Sequence, residues 1–215
     1  MNRAEIIRRV EDETRILLAK SKSGGHDFSH TNRVRIYAKI IAKSMNYDLF
    51  KAELAALLHD IGNSVQREKH GHYSAKLSNK ILSNHDISEN TRKEIITAVE
   101  EHDKIFAKTL LGKILQDADK LDSMGPIGIM RMFEHNLGKL PLYNPRKTFS
   151  PPRIRKDSRS RCFIHKKDVK YISDVFYMAI CFEKMLNFRT SKIMAREKIK
   201  IMKDFIRIVK KELSM

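Results

Sequence analysis

Apolar residues recur every three or four positions along most of this 215-residue chain, and this period constrains the fold more than any other sequence feature. The most regular stretch is the last one, where the recurring positions are Ala195, Ile199, Met202, Phe205, Ile206, Val209 and Leu213. No stretch alternates apolar and polar residues between turn signals, so strands are expected to be incidental at most. The sequence therefore predicts an all-α fold.

Glycine and capping residues divide the helical pattern. The predicted boundaries are, in chain order, a helix end at Gly24-Gly25, a helix cap at Ser29 and a helix end at Gly62. Residues 138–167 contain four of the five prolines and many basic side chains, which predicts a long loop.

The predicted organisation is a single domain over residues 1–215. Its helical core is expected to cover about residues 20–137 and to be followed by the long basic loop. The C-terminal helices, over residues 168–213, are expected to pack on that core as additions to the bundle.

Length and composition exclude several classes of protein. With 41% hydrophobic residues, the chain can bury a sizeable core. Its N-terminus lacks the apolar run of a signal peptide, and its longest uncharged apolar stretch, residues 175–182, is too short to span a bilayer. Cys162 and Cys181 are too few for a disulfide framework or a four-thiolate zinc site. We therefore expect a cytoplasmic protein with no membrane partner.

The positive charge of the chain is concentrated near its C-terminus. Residues 139–215 hold 21 lysines and arginines against 7 acidic residues, whereas residues 1–138 hold 22 against 19. Such an excess is typical of surfaces that bind nucleic acid or acidic partners. A lysine-rich chain that solvates its helices would show the same excess. Because the chain has no tryptophan and no obvious aromatic stacking motif, nucleic acid is allowed but not favoured as a partner.

Four His-Asp pairs are the main candidates for chemistry, namely His26-Asp27, His59-Asp60, His85-Asp86 and His102-Asp103. His59-Asp60 ends ELAALLHDIGN, an almost wholly apolar helix that is expected to be buried. Burial of an ionised carboxylate beside an imidazole is costly unless a partner compensates both groups, and a divalent cation does so. This pair is therefore the predicted centre of a metal site.

The other three pairs are predicted to have different roles. His26 and Asp27 are expected to orient His30. His85-Asp86 is expected to form a polar turn. His102 falls on an apolar helix face and is expected to point inward, with Asp103 facing solvent.

Further metal ligands are expected from other apolar helices. His30 opens one such helix upstream of the central pair, and Asp119 lies on another downstream. With His59 and Asp60 they provide two imidazoles and two carboxylates, most of an octahedral shell. The remaining positions are left for water or a substrate oxygen, which is what metal-assisted hydrolysis requires.

Several of these segments resemble one known family. HDFSHTNRV (residues 26–34), LAALLHDIGN (54–63) and KILQDADKLDSMGPIGIMR (113–131) are similar to segments of the HD superfamily of metal-dependent phosphohydrolases. With the tail that contains FEKML and MAREKIKIMKDFI, they resemble the small YedJ-type HD hydrolases. The run QDADKLD followed by Gly-x-Ile-Gly-Ile-x-Arg is far more specific than an isolated His-Asp pair.

The resemblance implies an all-α fold, one divalent ion per chain, and hydrolysis of phosphate esters or anhydrides, with nucleotides as the usual substrates. The implied metal ligands are His30, His59, Asp60 and Asp119. Asp117 or Asp122 could be argued for the last ligand, but alignment of ADKLD within the superfamily favours Asp119. The chain departs from the family at Asp103, where a small hydroxyl residue is usual, and at MAICFEKML, where a histidine is usual.

The expected reaction is attack of a metal-activated water on phosphorus. Asp60 is predicted to accept the proton of that water or to hold it in line, and Lys120 to neutralise charge that develops on the phosphate. The predicted substrate-binding residues are Arg33, Asn63, His72, His102, Asp122 and Arg131. A second metal at His72 and His102 is the less favoured arrangement.

Nitrogen-rich ligation disfavours magnesium, so manganese, iron, nickel or zinc is the expected ion. The alternative interpretation is a nucleic-acid-associated or regulatory HD protein whose metal is structural. A further interpretation keeps the enzyme and uses the basic loop at residues 146–170 as a lid for polyanionic substrates. The sequence leaves the exact substrate and the oligomeric state open.

Overall fold

Helices dominate the regular structure of the protein in a computed structural model that describes residues 2–20, 26–147, 149–157 and 161–214. In chain order these helices are α1 (Arg3–Ala19), α2 (Phe28–Ser44), α3 (Leu49–Leu58), α4 (His70–Leu82), α5 (Glu89–Glu101), α6 (Leu110–Asp122), α7 (Gly125–Asn136), α8 (Ile172–Met185) and α9 (Arg189–Leu213). Short 3-10 helices lie at Ile61–Ser64 and Lys166–Asp168. The strands β1 (Arg155–Lys156) and β2 (Cys162–Phe163) form one antiparallel pair. The predicted all-α fold is confirmed.

The chain divides into two compact units, Met1–Asp119 and Lys120–Met215, and helix α6 contains the boundary between them. The single domain over residues 1–215 and the packing of the C-terminal helices on the N-terminal core stay predictions. Among the described residues, no helix combines the length and apolar character needed to cross a bilayer.

Helix α3 is the centre of the first unit because it has almost no polar face to expose. Residues 52–58 are all buried, and α3 packs against α1, α2 and α5. Glu53 lies within this run, and its carboxylate accepts a hydrogen bond from Arg35 Nε at 2.7 Å, which compensates its burial. Arg35 also donates to Glu11 at 2.7 Å. One guanidinium therefore joins α1, α2 and α3.

The N-terminus of α2 is capped by Asp27, so the predicted cap at Ser29 is wrong. The Asp27 carboxylate accepts a hydrogen bond from the backbone N–H of His30 at 2.9 Å. Ser29 lies in the first turn, and its hydroxyl donates to the same carboxylate at 2.8 Å. A carboxylate is the better partner here because its negative charge also opposes the helix dipole.

Helix α3 ends at Leu58, so the prediction that Gly62 closes it is wrong. Gly62 instead permits the close approach of α4, because a Cβ there would lie 2.1 Å from the carbonyl oxygen of His70. The predicted helix end at Gly24-Gly25 lies outside the described residues.

The second unit is built around Phe176 of α8, which is fully buried. Its ring stacks on Phe205 of α9, with the ring centres 5.3 Å apart. The rings of Phe133 on α7 and of Phe149 meet it edge-on at 5.8 and 6.0 Å. Helices α7, α8 and α9 therefore share one aromatic core.

The predicted loop at residues 138–167 contains the β1–β2 pair and the start of a 3-10 helix. The rest of its described part has no helix or strand, as expected. Thr148 and residues 158–160 of this segment lie outside the described residues.

Candidate functional site

The start of α2 directs two imidazoles toward one carboxylate. His30, held in the first turn by the Asp27 cap, is fully buried, and its Nε2 lies 3.3 Å from Oδ2 of Asp60. His26 precedes the cap, and its Nδ1 lies 2.6 Å from the same oxygen. The Asp27 cap therefore holds His30 in the first turn of α2.

The apolar helix α3 places His59 and Asp60 at its buried C-terminal end. His59 Nδ1 donates a hydrogen bond to the carbonyl oxygen of Ala56 at 2.8 Å. The proton on Nδ1 leaves the lone pair on Nε2. That nitrogen lies 3.3 Å from His30 Nε2 and 3.4 Å from Asp60 Oδ2.

Asp119 on α6 completes a first group of candidate ligands. Its Oδ1 lies 3.6 Å from His30 Nε2. His30, His59 and Asp119 each offer one ligand atom, and these three atoms lie within 4.8 Å of one another. The Asp119 side chain is 31% exposed, whereas both imidazoles are fully buried.

A second group consists of Asp60, His70 and His102, and Oδ2 of Asp60 also contacts His30 and His59 of the first group. The other carboxylate oxygen of Asp60, Oδ1, lies 3.6 Å from Nε2 of His70 and 3.6 Å from Nε2 of His102. His70 opens α4 and His102 follows α5, and their Nε2 atoms are 3.2 Å apart. Asp60 is therefore the residue around which both groups are arranged.

The donor set of the second group fits a cation. Nδ1 of His70 lies 2.9 Å from the carbonyl oxygen of Arg67, and Nδ1 of His102 lies 2.6 Å from that of Val99. With both Nδ1 atoms protonated, two Nε2 lone pairs and a carboxylate oxygen face one another. A proton or a metal ion between them relieves the repulsion. Burial opposes the charged form of His102, but the hydrogen bond and the charge of Asp60, together with the charge of Asp119 and the hydrogen bond to Val99, outweigh burial and raise the pKa of His102.

The ionisation states around Asp60 suit a divalent cation. Burial lowers the pKa of His59 to about 4, so this imidazole is neutral at pH 7. Burial alone would raise the pKa of Asp60, but the neighbouring His59 and His26 hold it well below its ordinary value. Neutral imidazole and ionised carboxylate are the forms that bind metal ions. The residues present therefore fit the metal that the sequence predicts.

A buried amide fixes the turn that carries His102. Gln116 of α6 is only 2% exposed. Its Nε2 donates to the carbonyl oxygens of Glu101, His102 and Lys104, and its Oε1 accepts from the N–H of Ala107 at 3.0 Å. The Glu101 carboxylate holds the same turn by accepting from the N–H and the hydroxyl of Thr109. Because Gln116 and Asp119 lie on one helix, the second group is tied to α6.

The structure brings together most of the site residues predicted in the first unit, namely His30, His59, Asp60, His102 and Asp119. Asn63 is buried beside them, and its amide donates to the carbonyl oxygen of Asp60 at 3.1 Å. Arg33 lies one turn after His30, and its Nη1 donates to Ser29 at 3.1 Å. His72 is exposed on α4, with its ring 5.7 Å from that of Tyr73, and is not in either group.

Sequence reasoning missed His70, which the structure places in the second group instead of His72. The available signal was the run His70-Gly71-His72 at the start of an apolar helix. Two residues of helix turn a side chain by about 200°, so only one of these histidines can face Asp60.

His102 is buried and Asp103 exposed, as expected. The Asp103 carboxylate lies against Gly71, where a Cβ would be 2.7 Å from its carboxyl carbon. His85 lies in the predicted turn, but its side chain is only 4% exposed, so the turn is less polar than expected.

Three predicted site residues belong to the second unit. Lys120 is buried, and its Nζ lies 5.9 Å from the ring centre of Phe182. Asp122 is 1% exposed and pairs with Arg131 at 2.9 Å. This ion pair gives both residues a role inside the second unit, and their contact with substrate stays a prediction.

Comparison with known proteins adds to these observations. Residues 27–124 match the family model of the HD domain. YpgQ of Bacillus subtilis is 34% identical over 118 residues, which cover 52% of this chain and 58% of YpgQ. Ribonuclease Y of Ureaplasma parvum is 32% identical over 109 residues, which cover 50% of this chain and 22% of that enzyme. The chain therefore spans less than two thirds of the curated relatives it matches.

Solved structures align with nearly the whole chain. A Listeria innocua protein is 29% identical, with a TM-score of 0.74 over 100% of this chain and 99% of that one. YpgQ in complex with ADP is 23% identical, with a TM-score of 0.73 over 99% and 97% of the two chains. An HD-superfamily hydrolase of Bacillus thuringiensis is 24% identical, with a TM-score of 0.71 over 99% of each chain. The last two show likeness of fold alone.

The all-α fold, with a buried His-Asp pair at the end of an apolar helix and further His and Asp side chains around it, agrees with the match to the HD domain. The chain therefore contains an HD domain, over residues 27–124. For these residues the resemblance to the HD superfamily found in the sequence is confirmed.

Proposed function

We propose that the chain is a metal-dependent phosphohydrolase that acts on a small phosphorylated compound, a nucleotide. The convergence of imidazole and carboxylate groups on Asp60, with Asp119 next to them, carries this proposal. The fold it shares with YpgQ, whose crystal structure contains ADP, favours a nucleotide as the ligand. A cation site suits phosphate oxygens because they carry negative charge.

We propose one ion per chain, held by His30, His59, Asp60 and Asp119. A bound divalent cation supplies a water of lowered pKa and polarises a phosphoryl oxygen. Nitrogen-rich ligation favours manganese, iron, nickel or zinc over magnesium. His70 and His102 are then proposed to contact the phosphate, because their Nε2 atoms lie together on the Oδ1 side of Asp60, each 3.6 Å from that oxygen.

The residues around the proposed ion have separate roles in the reaction. The Asp60 carboxylate is ionised and can accept a proton from the attacking water or hold that water in line. His26 keeps Asp60 oriented through its 2.6 Å contact. Asn63 and Arg33 are proposed to bind the substrate. Lys120 is proposed from the sequence alone to neutralise charge on the phosphate.

The decisive experiment pairs metal content with a nucleotide panel. Purified protein is loaded with several divalent ions, and metal per chain is measured by mass spectrometry. Phosphate and pyrophosphate are scored separately with mono-, di- and triphosphates, since this distinguishes ester from anhydride cleavage. We expect Asp60→Asn and Asp119→Asn to lose both the ion and the activity. Hydrolysis that survives in both variants would contradict the proposal.

A matched pair of histidine variants tests the second group. His70→Asn and His72→Asn change the same side chain two residues apart, inside and outside the site. We expect His70→Asn to weaken turnover and His72→Asn to leave it unchanged. A measured ratio of two ions per chain that falls to one in His70→Asn would replace the one-ion proposal with a two-ion site.

The alternative function, a nucleic-acid-associated or regulatory protein with a structural metal, makes the opposite prediction. It expects a bound ion, no hydrolysis of any phosphate compound, and binding to RNA or DNA that falls steeply with salt.

A further inference from the structure

A stripe of cations runs along α9, in the second unit and outside the groups described above. Its members, which we call the α9 stripe, are Arg189, Lys192, Arg196, Lys200, Lys203, Arg207 and Lys210. They follow one another in steps of three or four residues, so they share one helix face. All are exposed. Since an α-helix rises by a fixed distance per residue, the stripe is roughly 30 Å long.

The apolar face of the same helix is already occupied. Ala195, Ile199, Met202 and Ile206 are buried in the second unit. A basic amphipathic helix that lies on a membrane must offer its apolar face to the lipid. Since α9 cannot do so while the unit is folded, the stripe is not suited to a lipid surface.

Among the described residues, two cations of the stripe have an ion-pair partner. Lys203 lies 3.6 Å from Glu183, and Arg207 lies 3.5 Å from Asp204. Both of these ion pairs are largely exposed, so each contributes little free energy. Within the described part of the chain, the other five cations have no carboxylate oxygen within 4.0 Å. The stripe is therefore a continuous positive field rather than one side of an ion-pair network.

The C-terminal half of the stripe borders a groove between α8 and α9. The groove has a volume of about 440 Å³ and is lined by Tyr177, Ile180, Lys203, Ile206, Arg207 and Lys210. The Tyr177 hydroxyl donates to the carbonyl oxygen of Phe149, which holds its half-buried ring in place. Lys210 Nζ lies 5.9 Å from the centre of that ring. The groove thus combines a fixed aromatic ring and an apolar floor with three cations.

We propose that the α9 stripe and its groove bind single-stranded nucleic acid. Phosphates lie along the stripe, and one unpaired base lies in the groove against Tyr177. Stacking of a base on an aromatic side chain beside a basic track is how proteins hold single strands without reading their sequence. The stripe alone would bind any polyanion, but the groove contributes to binding only when the ligand carries a free base. A duplex offers no such base, because its bases are stacked inside it.

The test measures binding of a fluorescent oligouridine of about 20 nucleotides to the full chain by anisotropy, over a series of salt concentrations. In one variant Lys203, Arg207 and Lys210 become alanine. The matched control replaces Lys43, Lys76 and Lys80, three exposed lysines of the first unit, so that the net charge falls equally. The loss of three phosphate contacts should lower the slope of log affinity against log salt by roughly 2. The control should keep the slope of the unmodified chain.

Two substitutions of Tyr177 test the base site. Tyr177→Leu should weaken oligouridine binding about tenfold, whereas Tyr177→Phe, which keeps the ring, should bind as the unmodified chain does. Thermal unfolding of each variant separates loss of binding from loss of fold. The proposal is overturned if the stripe and control variants weaken binding equally, or if Tyr177→Leu folds and binds normally. It is also overturned if a duplex, or anionic vesicles, bind as tightly as the single strand.

Discussion

Protonation of His59 should make the metal-free protein less stable in mild acid, by an amount that follows from its burial. Burial lowers the pKa of His59 from the ordinary value of 6.5 to about 4. The unfolded chain, in which the ordinary pKa applies, therefore binds this proton more tightly than the folded chain does. The contribution of His59 to stability is complete above pH 6.5 and is lost as the pH falls from 6.5 toward 4.

The size of the effect follows from the two pKa values. Between pH 7 and pH 5, the difference in proton binding lowers the free energy of unfolding by about 2 kcal/mol. The depressed pKa of Asp60 acts at lower pH, because its stabilising effect is present above the ordinary carboxyl pKa of 3.8 and is lost only below it. Between pH 7 and pH 5, the effect of His59 on stability is therefore measured separately from that of Asp60.

Urea unfolding of the metal-free protein at pH 7, 6 and 5 measures this effect. His59→Asn cannot titrate, and its amide can still donate to the carbonyl oxygen of Ala56, which His59 Nδ1 reaches at 2.8 Å. The variant should show a pH dependence that is shallower by about 2 kcal/mol over this window. The exposed His72→Asn variant should keep the full dependence. Equal pH dependence in His59→Asn and the unmodified protein would refute the assignment of a neutral, buried imidazole.

Other substitutions test the supports of the site and of the second unit. Gln116→Ala removes four hydrogen bonds to the α5–α6 turn and should lower the free energy of unfolding by roughly 2–4 kcal/mol in urea, with weaker metal binding. Gly71→Ala should cost about 1–3 kcal/mol, because its Cβ would lie 2.7 Å from the Asp103 carboxyl carbon, and adding Asp103→Ala should restore part of the loss. Arg131→Met removes the guanidinium 2.9 Å from buried Asp122 and should cost about 3–5 kcal/mol, whereas Arg131→Met with Asp122→Leu should cost less. Melting curves that leave any of these three variants unchanged would contradict the contact concerned.

The all-α fold could be predicted because a period of three to four residues is a local property that each segment carries by itself. The place of His59-Asp60 could be predicted for a similar reason. A helix as apolar as α3 is buried in any fold that contains it, and residues 52–58 are all buried. The loop over residues 138–167 was marked by its prolines, which cannot donate to a helix or a central strand.

The capping residue was harder to predict because two neighbouring residues were chemically suitable. Asp27 and Ser29 are both good helix caps, and the choice depends on where the backbone turns. In the structure Asp27 has the extended backbone of a cap, and Ser29 is already helical. The sequence predicts that a helix begins here but not at which residue.

Composition and pattern by themselves determined that this chain forms amphipathic helices around one almost wholly apolar helix that ends in a His-Asp pair. Which other histidines meet that pair was decided only by tertiary structure. His70 and His72 are both next to Gly71 at the start of α4, and the packing of that helix turns His70 toward Asp60 and leaves His72 exposed. The sharing of Asp60 between two groups was decided in the same way. It depends on the 3.3 Å and 3.6 Å distances from its two oxygens to imidazoles on separate helices, and such distances arise from packing between helices rather than from any local pattern.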